Sequence, residues 1–320
     1  TLTRMGFTGN PVGFRAVKLI AEAAASVPLT CADHEGRLDM HPVLGLLSRP
    51  NGAQGRGEFL EAMFGQFLLT GNAYVEAVGP DGLPLELHVL RSDRMAVVPG
   101  SDGRPVAYDY TVGGRVHRFR VGETSPICHV RAFHPQDDHY GLSPLQAAAN
   151  AIDVHNSASR WSKGLLDNAA RPSGAIVNSG EGLTQEQFDT LASEMEAQHQ
   201  GARNAGRPML LDGGLDWKKT KEAAAREIAM AFGVPPMMLG IPGDATYANY
   251  VEANRAFYRL TVLPLVAKVC EGLAYWLGEH AGESLTLSER DAEWSRIASA
   301  TFLTDAEKRR MLGLPPAEDA

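Results

Sequence analysis

Three features of the sequence predict an α+β fold. Segments with helical apolar spacing stand near both ends of the chain. Between Ala73 and Phe133 lies a run of short alternating segments split by glycine and proline turns, the pattern of a small antiparallel sheet. A compact strand-helix-strand unit of about fifty residues sits between two further helices.

The elements follow in order. Asn10 caps a first helix, Pro11 takes its first position, and Phe14, Val17, Ile20, Ala21 and Ala24 fall on one face until Pro28 ends it. A second apolar-periodic segment runs from Glu58 to Thr70 and stops at Gly71. "AYVEAV" and "PLELHVL" then alternate on either side of the turn "GPDG". "MAVV", "VAYDYTV" with the Gly113-Gly114 turn, "VHRFRV" and "ICHVRAF" continue the strands.

Ser143 and Pro144 open a long helix that reaches about Ala169, roughly 39 Å at about 1.5 Å per residue. Its faces are small (Ala147, Ala148, Ala149, Ala151, Ser157, Ala158, Ser159), with a sparse stripe of Val154, Trp161 and Leu165. Two readings fit: a helix with neighbours on several sides, or the core helix of one domain. In the insert that follows, "SGAIV" is a strand and "LTQEQFDTLASEMEAQH" a helix with the Thr184–Gln187 capping box. "RPMLLDGGLDWKK" is read as a strand and hairpin.

"EAAAREIAMAF" forms a second, shorter helix. It runs into a loop carrying Gly233, Pro235, Pro236, Gly240, Pro242 and Gly243, and then the tetrad Tyr247-Ala248-Asn249-Tyr250. Val251 to Leu277 is helical, with a kink expected at Pro264, which has no amide to give Leu260. "SLTLS" is a last strand, and Thr304 with Glu307 caps a short final helix. No internal repeat is present.

Composition narrows the function. The chain has 320 residues, 44% hydrophobic and 21% charged, as in soluble globular proteins. A net charge of -8 argues against a gripping nucleic-acid binder, though not against a surface along which nucleic acid slides. The three cysteines stand far apart and form no CxxC pair, which argues against a disulfide framework or zinc ribbon. The longest apolar stretch, Leu260 to Cys270, is broken by Pro264 and Lys268 and falls short of a bilayer span. Thr1 to Met5 lead into glycines, so no signal peptide is expected.

Few residues suggest chemistry. "CHVRAFHPQDDHY" crowds Cys128, His129, His134, Asp137, Asp138 and His139 together, ligand types zinc accepts. Their spacing matches no standard zinc motif, and a strand end with a polar loop accounts for them better. Ser143 lacks the second glycine of a nucleophile elbow and reads as a helix cap. Gly52, Gly55 and Gly57 have neither dinucleotide nor Walker spacing. Arg203, Arg207, Lys218, Lys219 and Lys221 outnumber Asp212 and Asp216, giving either a solvated hairpin or a phosphate contact.

Five strings carry a resemblance: "HPVLGLLSRPN" (41–51), "LLTGNAYVE" (68–76), "YGLSPLQAA" (140–148), "IAMAFGVPPMMLG" (228–240) and "TYANYVEANRAFYRLTVLPL" (246–265). In this order they resemble the portal proteins of tailed phages, in particular the smaller portals of long-tailed phages and phage-derived gene transfer agents.

The resemblance implies a non-enzymatic, cofactor-free protein that forms a ring, usually a dodecamer, around a channel for double-stranded DNA at one capsid vertex. Its implied partners are the large terminase subunit, the head–tail adaptor and the major capsid protein, with no membrane and with assembly in the bacterial cytoplasm. It implies a wing over 1–142, a stem helix over 143–170 and a clip over 171–217. A second stem helix (218–234), a tunnel loop (235–250), a kinked wing helix and strand (251–288) and a crown (289–320) follow. Gly240, Ile241, Pro242, Gly243, Asp244, Ala245, Thr246, Tyr247 and Asn249 would line the channel. Arg203, Arg207, Lys218 and Lys219 would contact DNA or partners in the clip, and Pro264 would set the wing bend. The sequence departs from the family between Trp217 and Glu222, where portals carry additional residues. Two other readings are a metal-dependent hydrolase centred on His129, His134 and His139, and a monomeric interaction module using the insert.

Overall fold

The computed structural model describes residues 2–36, 38, 40–80, 82–167, 175–177, 209–211, 217–242 and 247–289. Helix α1 (Pro11–Ser26) starts as its sequence dictates: the Asn10 side-chain oxygen accepts from the Gly13 amide at 2.9 Å, and Pro11 occupies the first turn. Its buried stripe is Ala16, Val17, Ile20, Ala21 and Ala24. Phe14 is not on it; its ring is 43% exposed and leans on Phe7 at 5.1 Å. The stripe packs on α3 (Arg56–Thr70), which buries Phe59, Leu60, Met63, Phe64, Phe67 and Leu68. Each such side chain contributes about 1.5–3 kcal/mol on leaving water.

The strands of the expected small sheet divide into two antiparallel sheets of three. In the first, β2 (Asn72–Val78) is central between β3 (Glu86–Leu90) and β7 (Ile127–Arg131). Tyr74 stands opposite Leu90 on one side and His129 on the other. The second holds β4 (Met95–Pro99), β5 (Pro105–Val112) and β6 (Arg115–Arg120) in that order. Tyr74, Leu90, Met95, Tyr108 and Ile127 form a small core of their own that joins the sheets. Among the elements not anticipated are a short helix and a strand. The short helix α2 (Pro42–Ser48) is capped by His41, whose Nδ1 accepts from Val43 at 3.3 Å. Strand β1 (Leu29–Ala32) pairs with the terminal strand β10 (Thr286–Glu289).

The long helix breaks once near its start. A single turn, α4 (Pro144–Ala147), is capped by Ser143, whose Oγ accepts from Gln146 at 3.0 Å; α5 (Ala149–Asp167) follows. In the insert, β8 (Ala175–Val177) and β9 (Met209–Leu211) pair in parallel, which needs a crossover connection between them. The insert helix and the capped C-terminal helix lie outside the described residues. Helix α6 spans Trp217–Ala231, so Trp217 is helical rather than part of a hairpin.

After the loop, α7 (Tyr247–Phe257), a π-helical turn (Tyr258–Val262) and α8 (Leu263–Ala281) form one helical run. The π turn lies immediately before Pro264, whose missing amide disturbs the ladder there. Because the run is not severed, Asn249–Ala281 is long and apolar enough to cross a membrane, contrary to the sequence expectation. Core packing accounts for that apolarity: Val262, Val266, Val269, Cys270, Leu273, Ala274, Trp276 and Leu277 are all buried in the protein.

Candidate functional site

The candidate site is the pair α5–α6 and the loop that leaves α6. The two helices pack together. Ala151 and Ile152 are buried on α5, and Ala224, Ala225, Ile228 and Ala229 on α6. Alanines on the contact face allow a close helix approach. The stripe read from sequence on α5 faces the other way, with Val154 43% and Trp161 39% exposed. A buried polar knot fixes the helix to the N-terminal segment. Asn10 donates from Nδ2 to Asn156 Oδ1 at 2.9 Å and stands 3.2 Å from His155 Nδ1, while Asn156 donates to the Met5 carbonyl at 3.0 Å. Burial, with the Lys221 charge nearby, lowers the His155 pKa, which suits an imidazole accepting from Asn10.

The loop is anchored before it departs. Thr261 donates to the Gly233 carbonyl at 2.6 Å, and Pro236–Leu239 form a 3-10 turn. Gly240 closes that turn in the left-handed region, φ 72°, where a side chain would be strained. Ile241 then folds back and is buried against Ala225 and Ala229 of α6. Ile241, expected at the channel, therefore anchors the loop, with its side chain buried against its own chain. Its packing has a simple cause: an aliphatic side chain gains more against two alanines, with Leu239 beside it, than in water. The Arg226 guanidinium donates to the Pro242 carbonyl and pins the next residue. Gly240, Pro242, Asn249 and Tyr250 are exposed. Gly243, Asp244, Ala245 and Thr246 lie outside the described residues, and Tyr247 begins α7.

Of the basic residues assigned to the insert, Arg203 and Arg207 lie outside the described residues. Lys218 and Lys219 fall in the first turn of α6, on the helix pair instead.

The proposed metal centre does not form. Among the described residues no three His, Cys, Asp or Glu side chains converge. His129 is spent structurally: its ring stacks on Tyr74 at 4.2 Å, and its Nε2 lies 3.0 Å from Asn72 Oδ1. That oxygen also accepts from the Gly141 amide at 2.9 Å, so His129 Nε2 is the donor. His134 Nδ1 accepts from the Gln136 amide at 3.1 Å. Burial first, then Arg131 and His139, push the His129 pKa down to about 3. An unfolded histidine takes up its proton near pH 6.5. Stability is thus complete above about 6.5 and falls as the pH drops from there toward 3. His129→Gln, which retains a donor, should flatten this stretch of the stability-versus-pH curve measured by denaturant unfolding. An unchanged acid slope would show that His129 is not its source.

One feature escaped the sequence reading. Gly71 at the end of α3 and Gly141 before α4 touch backbone to backbone. A Cβ on either would overlap the other's carbonyl group. The Gly71 carbonyl accepts from Ala132 at 2.8 Å, and Asn72 joins both to His129. Two of the quoted strings, "LLTGNAYVE" and "YGLSPLQAA", meet at this point.

These features define a structural scaffold: a helix pair bearing an anchored loop, braced on a two-sheet domain. The chain matches the family described as phage portal protein over residues 11–313 and belongs to it. It is 61% identical to a chain from the neck of an empty gene transfer agent (GTA) particle computed with C6 symmetry, covering 99% of this chain and 93% of that one, with a TM-score of 0.77. Against the neck of the native GTA particle computed with C12 symmetry the identity is 60%, the coverage 98% and 93%, and the TM-score 0.73. The portal protein of Enterobacteria phage HK97 is 25% identical over 95% of this chain and 78% of its own length.

Proposed function

We propose that this chain is the portal subunit of a gene transfer agent or similar phage-like particle. Twelve copies form a ring at one capsid vertex, and double-stranded DNA passes through its channel during packaging and ejection. The observation that carries this reading is the 60–61% identity, over almost the whole chain, to subunits of gene transfer agent necks. The C12 symmetry of one of those necks supports twelve copies.

The two-sheet domain with α1, α3 and α8 is the wing, α5 and α6 are the stem, and residues 171–217 are the clip. The clip docks the large terminase subunit and later the head–tail adaptor; the wing meets the major capsid protein. The stretch from 289 onward is the crown. The turn before Pro264 sets the wing bend. The ring assembles in the bacterial cytoplasm and catalyses nothing itself, since the motor supplies the work. The tunnel loop is the segment from Gly240 to Asn249, less its anchor Ile241. Its single charge, Asp244, suits low friction against a polyanion better than binding.

Electron micrographs of the purified protein at high concentration test the reading. Rings with an open centre are expected. A uniformly monomeric or dimeric protein that never closes into rings would count against it.

A further inference from the structure

The helix pair presents two unlike outward faces. On α5, Val154 and Trp161 are seven residues apart, about two helical turns, and share a face turned away from the buried Ile152. On α6, the buried residues Ala224, Ala225, Ile228 and Ala229 leave Arg226 and Met230 on the opposite side. Beside that second face runs a mainly apolar groove of about 330 Å³. Phe257 and Val234 form its buried floor, and Met230, 75% exposed, and Leu260, 67% exposed, stand on its rim. Large apolar side chains this exposed, flanking a groove, mark a contact surface.

We propose that this groove receives the outward face of α5 from the next copy of the same chain, with Val154 set against Met230 and Leu260. The occupant is a second copy because one chain carries both halves. An apolar groove lies on one side of the helix pair, and a face carrying Val154, Ser157, Ala158 and Trp161 lies on the other. Two different patches on opposite sides of one element make a heterologous contact. Repeated by rotation, such a contact closes a ring rather than a two-fold dimer. The groove also borders the loop, because Arg226, on its lining, holds the Pro242 carbonyl. Each copy would therefore brace the loop anchor of its neighbour. This inference rests on the ring reading above and specifies which surfaces close it.

Cysteine pairing tests it. The native Cys31, Cys128 and Cys270 are free and buried, so they contribute little background. With Val154→Cys and Met230→Cys in one chain, mild oxidation of assembled protein should give a covalent ladder on non-reducing gels. Reductant should collapse the ladder, and neither single variant should form it. Met230→Asp should abolish rings while leaving the far-ultraviolet circular dichroism of the subunit unchanged. Rings that form normally with Met230→Asp, or that give no ladder with the cysteine pair, overturn the interface and leave the ring reading standing. A wild-type protein that never forms rings removes both.

Discussion

Particles assembled with a chain lacking Gly243–Thr246 are expected to contain intact rings and almost no retained DNA. The deletion leaves both anchors in place: Ile241 still packs on Ala225 and Ala229, and Arg226 still holds the Pro242 carbonyl. The helix pair keeps its core, so ring formation should survive. What disappears is the rest of the loop, with Asp244, its only charge. If that part forms the adjustable constriction, DNA enters and leaks out. Counting DNA-filled and empty heads by density-gradient centrifugation checks this. Wild-type numbers of full heads from the deletion would remove the loop's assigned role.

The second large effect lies at the contact between Gly71 and Gly141. Gly141→Ala should destabilise the subunit by about 4 kcal/mol, because the clash is with backbone, which has little freedom to yield. The melting temperature should fall by roughly 10 °C. The new Cβ overlaps the Gly71 carbonyl and the Ala132 amide. Separating them loosens the hydrogen bond from Ala132 to Gly71 and the one from Gly141 to Asn72. Gly71→Ala should do similar damage, with the added strain of its left-handed backbone, φ 76°. Thermal unfolding of the two purified variants decides. Melting curves that overlay the wild type would mean that the contact is slack.

Both positions show why part of this protein could be read from sequence. Local signals were legible. Asn10, Ser143 and Gly71 act within one turn of their own helices, so caps and stops could be placed from adjacent residues. The strands between Ala73 and Phe133 alternate strongly enough to be found one by one. Their division into two sheets depends on how Tyr74, Leu90 and Tyr108 pack across the join, which alternation does not encode.

Non-local pairings stayed hidden. Strand β1 was missed because its partner is remote; Thr30 and Ser288 are 258 residues apart. The meeting of Gly71 with Gly141 is a tertiary fact, although both glycines stand in the strings that revealed the family. Direction was a further blind spot. Periodicity showed apolar residues at Phe14 and along Val154 and Trp161, but it cannot say whether a face turns toward its own core or toward a neighbour. Ile241 was the reverse case. An aliphatic residue that follows a left-handed glycine can turn back onto its own subunit, and Ala225 and Ala229 on α6 receive it. Lys218 and Lys219 were read as part of a hairpin, but the helix begins at Trp217, ahead of the alanines that advertise it.

The most direct test of the whole account is a symmetry-averaged reconstruction of the assembled ring. It should show copies related by rotation alone, α5 of each against the α6–α7 groove of the next, and Pro242 and Asn249 at the wall of an open central passage. A map in which Pro242 and Asn249 face away from the axis, or in which no passage exists between the copies, would contradict it.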